Sequence, residues 1–129
     1  MLEKFKIEII SPDSSIIKTQ THEVIIPSYE GEMGILKDHI PLITFLRPGF
    51  IIIQGENMKK FFVEEGTVEF SNNNLIVLTS TAKDIANMDK KSIDALIHES
   101  EKKLNNHEIS DKERYLLSYK LETLKNINQ

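Results

Sequence analysis

Four histidines, His22, His39, His98 and His107, are the side chains best suited to ligate a metal or to move protons near neutral pH. No two of them stand four residues apart, the helical spacing that would bring two rings to one ion. The chain also has no cysteine to complete a thiolate set. They are expected to be surface or hydrogen-bonded residues, His39 excepted, because it lies in the motif described below. Glu64-Glu65 is an adjacent carboxylate pair; on a strand such neighbours point to opposite faces and make a poor acid/base dyad. No serine stands in a Gly-x-Ser-x-Gly elbow, and the glycines form neither a dinucleotide fingerprint nor a P-loop. Lys59-Lys60 and Lys102-Lys103 read as solvated charge. The residues therefore point away from an enzyme and towards a protein that acts through partners.

Composition narrows the partners. The 129 residues suffice for one ordinary domain, or a small domain with an appendage. The net charge of −4 argues against nucleic acid, whose phosphates need a basic surface. Without cysteine there are no disulfides, so a secreted disulfide scaffold is not expected. No apolar run approaches the roughly 18 residues of a membrane span. The start, Met1 to Lys6, alternates apolar and charged residues and reads as a mature cytosolic terminus rather than a signal peptide.

The elements divide the chain in two. All five glycines, all four prolines and all six phenylalanines precede residue 71. There the period is two: Phe5, Ile7 and Ile9 alternate with Lys6 and Glu8. Further short strands are expected from Ile16, over Val24 to Ile26 (stopped by Pro27), Leu42 to Leu46, Phe50 to Ile53, Phe61 to Val63, Val68 to Phe70 and Leu75 to Leu78. Glu30 to Gly34 is expected to be a turn with a glycine near each end, and Asn72-Asn73-Asn74 a tight connection. After this region the period becomes helical. Ile93, Leu96, Ile97 and Leu104 form one stripe, and Leu117, Leu121 and Leu124 another. Asp89 is the expected cap of the first helix and Ser110 to Glu113 a capping box for the second. The expected fold is an all-β sandwich or flattened barrel over 1–84, followed by an antiparallel α-helical hairpin over 85–129, with a hinge near Thr81 to Asp89. On the residues alone, a ligand-binding sandwich with a helical lid and a generic adaptor remain alternatives.

The most specific text is Tyr29-Glu30-Gly31-Glu32-Met33-Gly34-Ile35-Leu36-Lys37-Asp38-His39-Ile40-Pro41-Leu42-Ile43-Thr44, with Leu46-Arg47-Pro48-Gly49 close behind. It resembles the epsilon subunit of bacterial F-type ATP synthase, called delta in mitochondria. Phe62 to Phe70, with Val77-Leu78-Thr79 and Ala82, resembles a second block of that family. The resemblance implies a non-catalytic rotor subunit of the central stalk, peripheral to the cell membrane on its cytoplasmic side and attached only through the complex. It implies that the subunit couples proton transport to ATP synthesis. Glu30, Gly31, Glu32 and Met33 would meet the c-ring, and Asp38, His39, Pro41 and Leu42 the gamma subunit. The tail would fold on the sandwich, or extend towards the alpha and beta subunits and obstruct ATP hydrolysis. Many bacterial members bind ATP in the tail through Ile/Leu-Asp-x-x-Arg-Ala. Here Ile93 and Asp94 match, whereas Ile97 and His98 replace the Arg and Ala. Without that guanidinium fork no cofactor is expected; a weak ATP site would be left to Ile93, Asp94 and Arg114.

Overall fold

A computed structural model describes residues 3–127. Met1 and Leu2 of the expected alternating start, and residues 128–129 of the expected tail, lie outside the described residues. Nine strands of five to seven residues come first: β1 Phe5–Ile10, β2 Ser15–Thr21, β3 Glu23–Ser28, β4 Gly31–Leu36, β5 Leu42–Leu46, β6 Gly49–Ile53, β7 Lys59–Val63, β8 Gly66–Ser71 and β9 Asn74–Leu78. A short β10, Lys83–Asp84, and a 3₁₀ turn, Ile85–Asn87, lead into α1 Lys90–Leu104 and α2 Asp111–Lys125.

The strands run β10-β7-β6-β3-β5-β8-β9-β1-β2, with β4 beside β3. The path bends within β3, which changes partner along its length. Val24 and Ile25 pair with β6, whereas Ser28 pairs with Leu46 of β5. The two layers so formed bury Phe5, Ile7, Ile9, Val24, Ile26, Ile35, and the inward residues of β6 to β9, between them. The period-two pattern of β1 is realised, with its apolar positions buried. The second layer is closed by a parallel pairing of β1 with β9, Lys6 to Ile10 against Asn74 to Leu78.

Three expectations are corrected. Pro27 does not stop β3 but lies within it, opposite Glu32. Its missing N–H would point to the side of its own carbonyl, where β3 is changing partners and only the Arg47 amide arrives, at 2.9 Å, so no ladder bond is lost. The expected turn from Glu30 to Gly34 shrinks to Tyr29-Glu30, because Gly31 to Leu36 pair with β3 throughout. Glu64 and Glu65 are not strand neighbours but form the turn from β7 to β8, held by Thr79 and Thr81 hydroxyls. The segment named as the hinge carries structure of its own in this docked state. Lys83 and Asp84 pair with Phe62 and Phe61, and the Asp84 carboxylate accepts the Ala86 amide at 2.9 Å.

Close packing explains Gly49. A Cβ there would lie 2.5 Å from the Pro27 Cβ. Gly49→Ala is expected to destabilise the sandwich by about 2 kcal/mol, the usual scale of overpacking. Urea unfolding would show it as a lower midpoint; an unchanged midpoint would mean the β3–β6 contact yields freely.

The helices begin as expected. Asp89 accepts the Ser92 amide at 2.7 Å, and this bond holds its carboxyl below the usual carboxylate range. Ser110 accepts the Glu113 amide at 3.1 Å, while the Glu113 carboxylate takes up the Ser110 hydroxyl at 3.4 Å. The hairpin is antiparallel, with Ile93 meeting Leu124 at one end and Arg114 meeting Leu104 at the other. Ile93, Leu124 and Ile127 pack on Phe62, so the tail lies on the outer face of the β6–β7 layer.

Candidate functional site

The tip of the β3–β4 hairpin is held from within. Gly31 adopts φ +121°, which L side chains rarely tolerate. The Ser28 hydroxyl donates to the Gly31 carbonyl at 2.7 Å and accepts the Glu30 amide at 3.2 Å. Glu30 and Glu32 are exposed, and Met33 leans on the core. Glu30, Gly31, Glu32 and Met33 therefore stand together as a stiff acidic knuckle.

Asp38, His39, Pro41 and Leu42 lie beyond the other end of β4, about 20 Å away at 3.3 Å per residue. Asp38 takes a left-handed φ of 66° and is tied to the β8–β9 turn. Its amide donates to Asn73 Oδ1 at 2.7 Å, and Asn73 Nδ2 returns a bond to its carboxylate at 3.0 Å. Lys37 beside it reaches Glu3 at 2.9 Å, and that contact raises the Lys37 pKa. His39 sets its ring edge-on to Phe70, and its Nδ1 lies 2.7 Å from the Ile40 carbonyl. Pro41 is exposed, whereas Leu42 packs against the core. The structure thus separates the two sets of residues and leaves Leu42 half-buried against the core.

Between these ends is a feature that sequence reasoning missed. Ile40, Ile43, Phe45 and Leu78 are 74%, 71%, 60% and 51% exposed. Phe45 stands opposite Thr67, which stands opposite Leu78; Ile43 stands opposite Glu69, which stands opposite Ile76. On this outer face the apolar side chains come from β5, the residues before it and β9, with Thr67 and Glu69 of β8 between them. The signal was present. β9 reads Leu-Ile-Val-Leu and β5 is almost as continuous, so both strands carry apolar side chains on each face. An open cleft of about 950 Å³ runs from Phe45 and Leu78 to Tyr29 and Lys112.

The helical tail meets the sandwich through aromatic and charged contacts as well as the Phe62 cluster. Tyr115 stacks on Tyr29 at 6.2 Å and meets Tyr119 edge-on at 4.9 Å. The Arg47 guanidinium sits 3.8 Å from the Tyr119 ring centre, and Lys120 pairs with Glu64 at 2.9 Å.

The residues considered for a nucleotide do not converge. Ile93 is buried and Asp94 exposed. Arg114 spends its guanidinium on the carbonyls of Leu104 and Asn106, at 3.1 and 3.5 Å. Ten residues of α1, about 15 Å, separate Asp94 from Leu104. Ile97 packs against the Phe62 cluster. Among the described residues no group of three or more His, Cys, Asp or Glu could hold a metal ion, and no helix is long and apolar enough to cross a membrane.

Residues 4–85 match the family model described as ATP synthase, Delta/Epsilon chain, beta-sandwich domain. The chain is 46% identical to the ATP synthase epsilon chain of Pelagibacter ubique, over 99% of this chain and 100% of that one. It is 32% identical to the ATP synthase epsilon chain of Parvibaculum lavamentivorans, over 98% and 97%. Its fold is shared by a chain in the cryo-EM structure of the Euglena gracilis mitochondrial ATP synthase (OSCP/F1/c-ring), with a TM-score of 0.76 at 18% identity, covering 97% of this chain and 80% of that one. A chain of the Tetrahymena thermophila mitochondrial ATP synthase central stalk and c-ring aligns with a TM-score of 0.62 at 12% identity, over 98% and 95%.

Proposed function

Because this chain belongs to the delta/epsilon subunit family of ATP synthase, we propose that it is a non-catalytic subunit of the central stalk, wedged between the gamma subunit and the c-ring. The observation that carries this reading is the apolar outer face of Ile40, Ile43, Phe45 and Leu78. A face of this kind on one side of a folded sandwich marks a protein contact, with aromatic and aliphatic anchors at its centre. It adjoins Asp38, His39 and Pro41, so gamma covers both. The acidic knuckle of Glu30 and Glu32, at the other end of β4, meets the polar loops of the c-ring. A stiff β scaffold joining the two contacts transmits torque, and so couples proton transport to ATP synthesis. The subunit is held at the cytoplasmic side of the cell membrane through the complex alone.

The division of labour follows the two parts of the chain, 1–84 as the fixed coupling and 85–129 as the movable regulator. Folded, the tail rests on β6, β7 and the β3–β5 corner. Extended, it reaches the alpha and beta subunits and obstructs ATP hydrolysis. Co-purification of the full chain with gamma tests the core of this reading; no complex at micromolar concentrations would refute it.

The knuckle has its own test. Glu32→Ala is expected to weaken the ring contact about tenfold, the loss of one charged hydrogen bond of about 1.5 kcal/mol. Proton pumping driven by ATP in reconstituted vesicles should fall while the melting temperature holds. Undiminished pumping would remove Glu32 from the contact.

A further inference from the structure

Tyr29 belongs to two surfaces at once. It is the first residue of the two-residue turn that presents Glu30 and Glu32, and its ring is stacked on Tyr115 of α2, interplanar angle 7°. The corner behind it is tied by two backbone bonds, from the Tyr29 amide to the Phe45 carbonyl at 3.1 Å and from the Arg47 amide to the Pro27 carbonyl at 2.9 Å. Tyr29 and Arg47 thus leave one rigid corner together. They grip Tyr115 and Tyr119, which stand one helical turn apart on a single face of α2. Arg47 Nε is shielded there without a hydrogen-bond partner, and the guanidinium carbon lies over the Tyr119 ring. Both stacked tyrosines are only partly covered, at 41% exposed for Tyr29 and 38% for Tyr115.

We propose that Tyr29 couples the acidic knuckle to the tail, so that a c-ring seated on Glu30 and Glu32 also covers the open edge of the Tyr29–Tyr115 stack and holds α2 against the sandwich. This rests on the ring contact proposed above. Excluding water from a ring pair and from a cation over a ring strengthens both attractions. The corner cannot relax to dissipate the effect, because its backbone is bonded and Gly49 packs against Pro27 without spare room. Coupling is reciprocal, so a docked tail strengthens the seat on the ring by the same factor that the ring strengthens the dock.

The test uses the full chain with a detergent-solubilised c-ring carrying gamma, and reads amide hydrogen exchange across α2 together with the amount of chain bound. Ring binding is expected to slow α2 exchange about fivefold, the low end of coupling between sites. Tyr29→Phe keeps the stack and should keep the slowing; Tyr29→Leu should abolish it. Tyr115→Ala, which leaves the knuckle untouched, should weaken ring binding by a similar factor. Bound ring with α2 exchange unchanged or faster overturns the coupling and leaves the knuckle contact standing. So does full slowing in Tyr29→Leu, or full ring affinity in Tyr115→Ala. Failure of the wild-type knuckle to contribute to ring binding, seen as equal affinity in a Glu30→Ala/Glu32→Ala chain, overturns the contact and the coupling together.

Discussion

ATP hydrolysis by the reconstituted catalytic complex is expected to rise at least about fivefold when residues 88–129 are removed, the low end of coupling between distant sites. The reason lies in how lightly the tail is held. Its apolar contact with the sandwich centres on Phe62, Ile93, Leu124 and Ile127, whereas fifteen buried side chains hold the sandwich to itself. Two helices of 15 residues are marginal alone in water. A tail stabilised chiefly by its docking can exchange one surface for another at small net cost, and nine basic and nine acidic side chains over 83–129 supply complementary charge for a second surface. Truncation uncovers Phe62 and Phe50 but leaves the inner core untouched, so the sandwich should keep its strand content by circular dichroism. An unchanged hydrolysis rate with the truncated chain incorporated would refute the regulatory role.

Phe45→Asp is expected to weaken binding to gamma by at least about a hundredfold, since a central aromatic anchor is worth about 2–4 kcal/mol and each 1.4 kcal/mol is tenfold. Removing the ring loses its burial, and a carboxylate in its place must be desolvated without a partner. The free chain should barely notice. Phe45 is 60% exposed and stands opposite Thr67 rather than in the core. Exposed substitutions of this kind usually alter stability by within about 0.5 kcal/mol. Titration calorimetry against gamma, with thermal unfolding of the free variant as control, separates the two effects. Retained affinity would move the contact off this face.

Much of the sandwich was legible because its signals are local. β1 alternates, Asn72 and Asn73 adopt φ of 51° and 60° as a tight two-residue hairpin requires, and Asp89 and Ser110 cap as their types predict. What failed depends on distant chain. Whether Pro27 interrupts a strand is decided by where β5 and β6 approach β3, not by its neighbours in sequence. β10 exists because β7 offers a free edge to Lys83 and Asp84. The exposed apolar face was half legible. The motif points to Asp38, His39, Pro41 and Leu42, of which Leu42 leans inward, while the apolar run from Leu42 to Leu46 marks Ile43 and Phe45 only as strand formers. Arg114 looked available for an anion in sequence; in three dimensions the end of α1 claims it.

One outer face of the sandwich is covered by the tail, and the other is exposed at Ile43 and Phe45. The tail on β6 and β7 is tethered through only the few residues from Asp84 to Asp89, whereas gamma, the partner proposed above for the opposite face, would arrive from solution. A short tether holds its ligand at an effective concentration of about millimolar or more. The docked tail is therefore indifferent to dilution, while on the proposed function the face of Ile43 and Phe45 would empty as gamma is diluted away. A distant surface that captures the tail must outcompete that local concentration, and it can do so only by being held nearby itself.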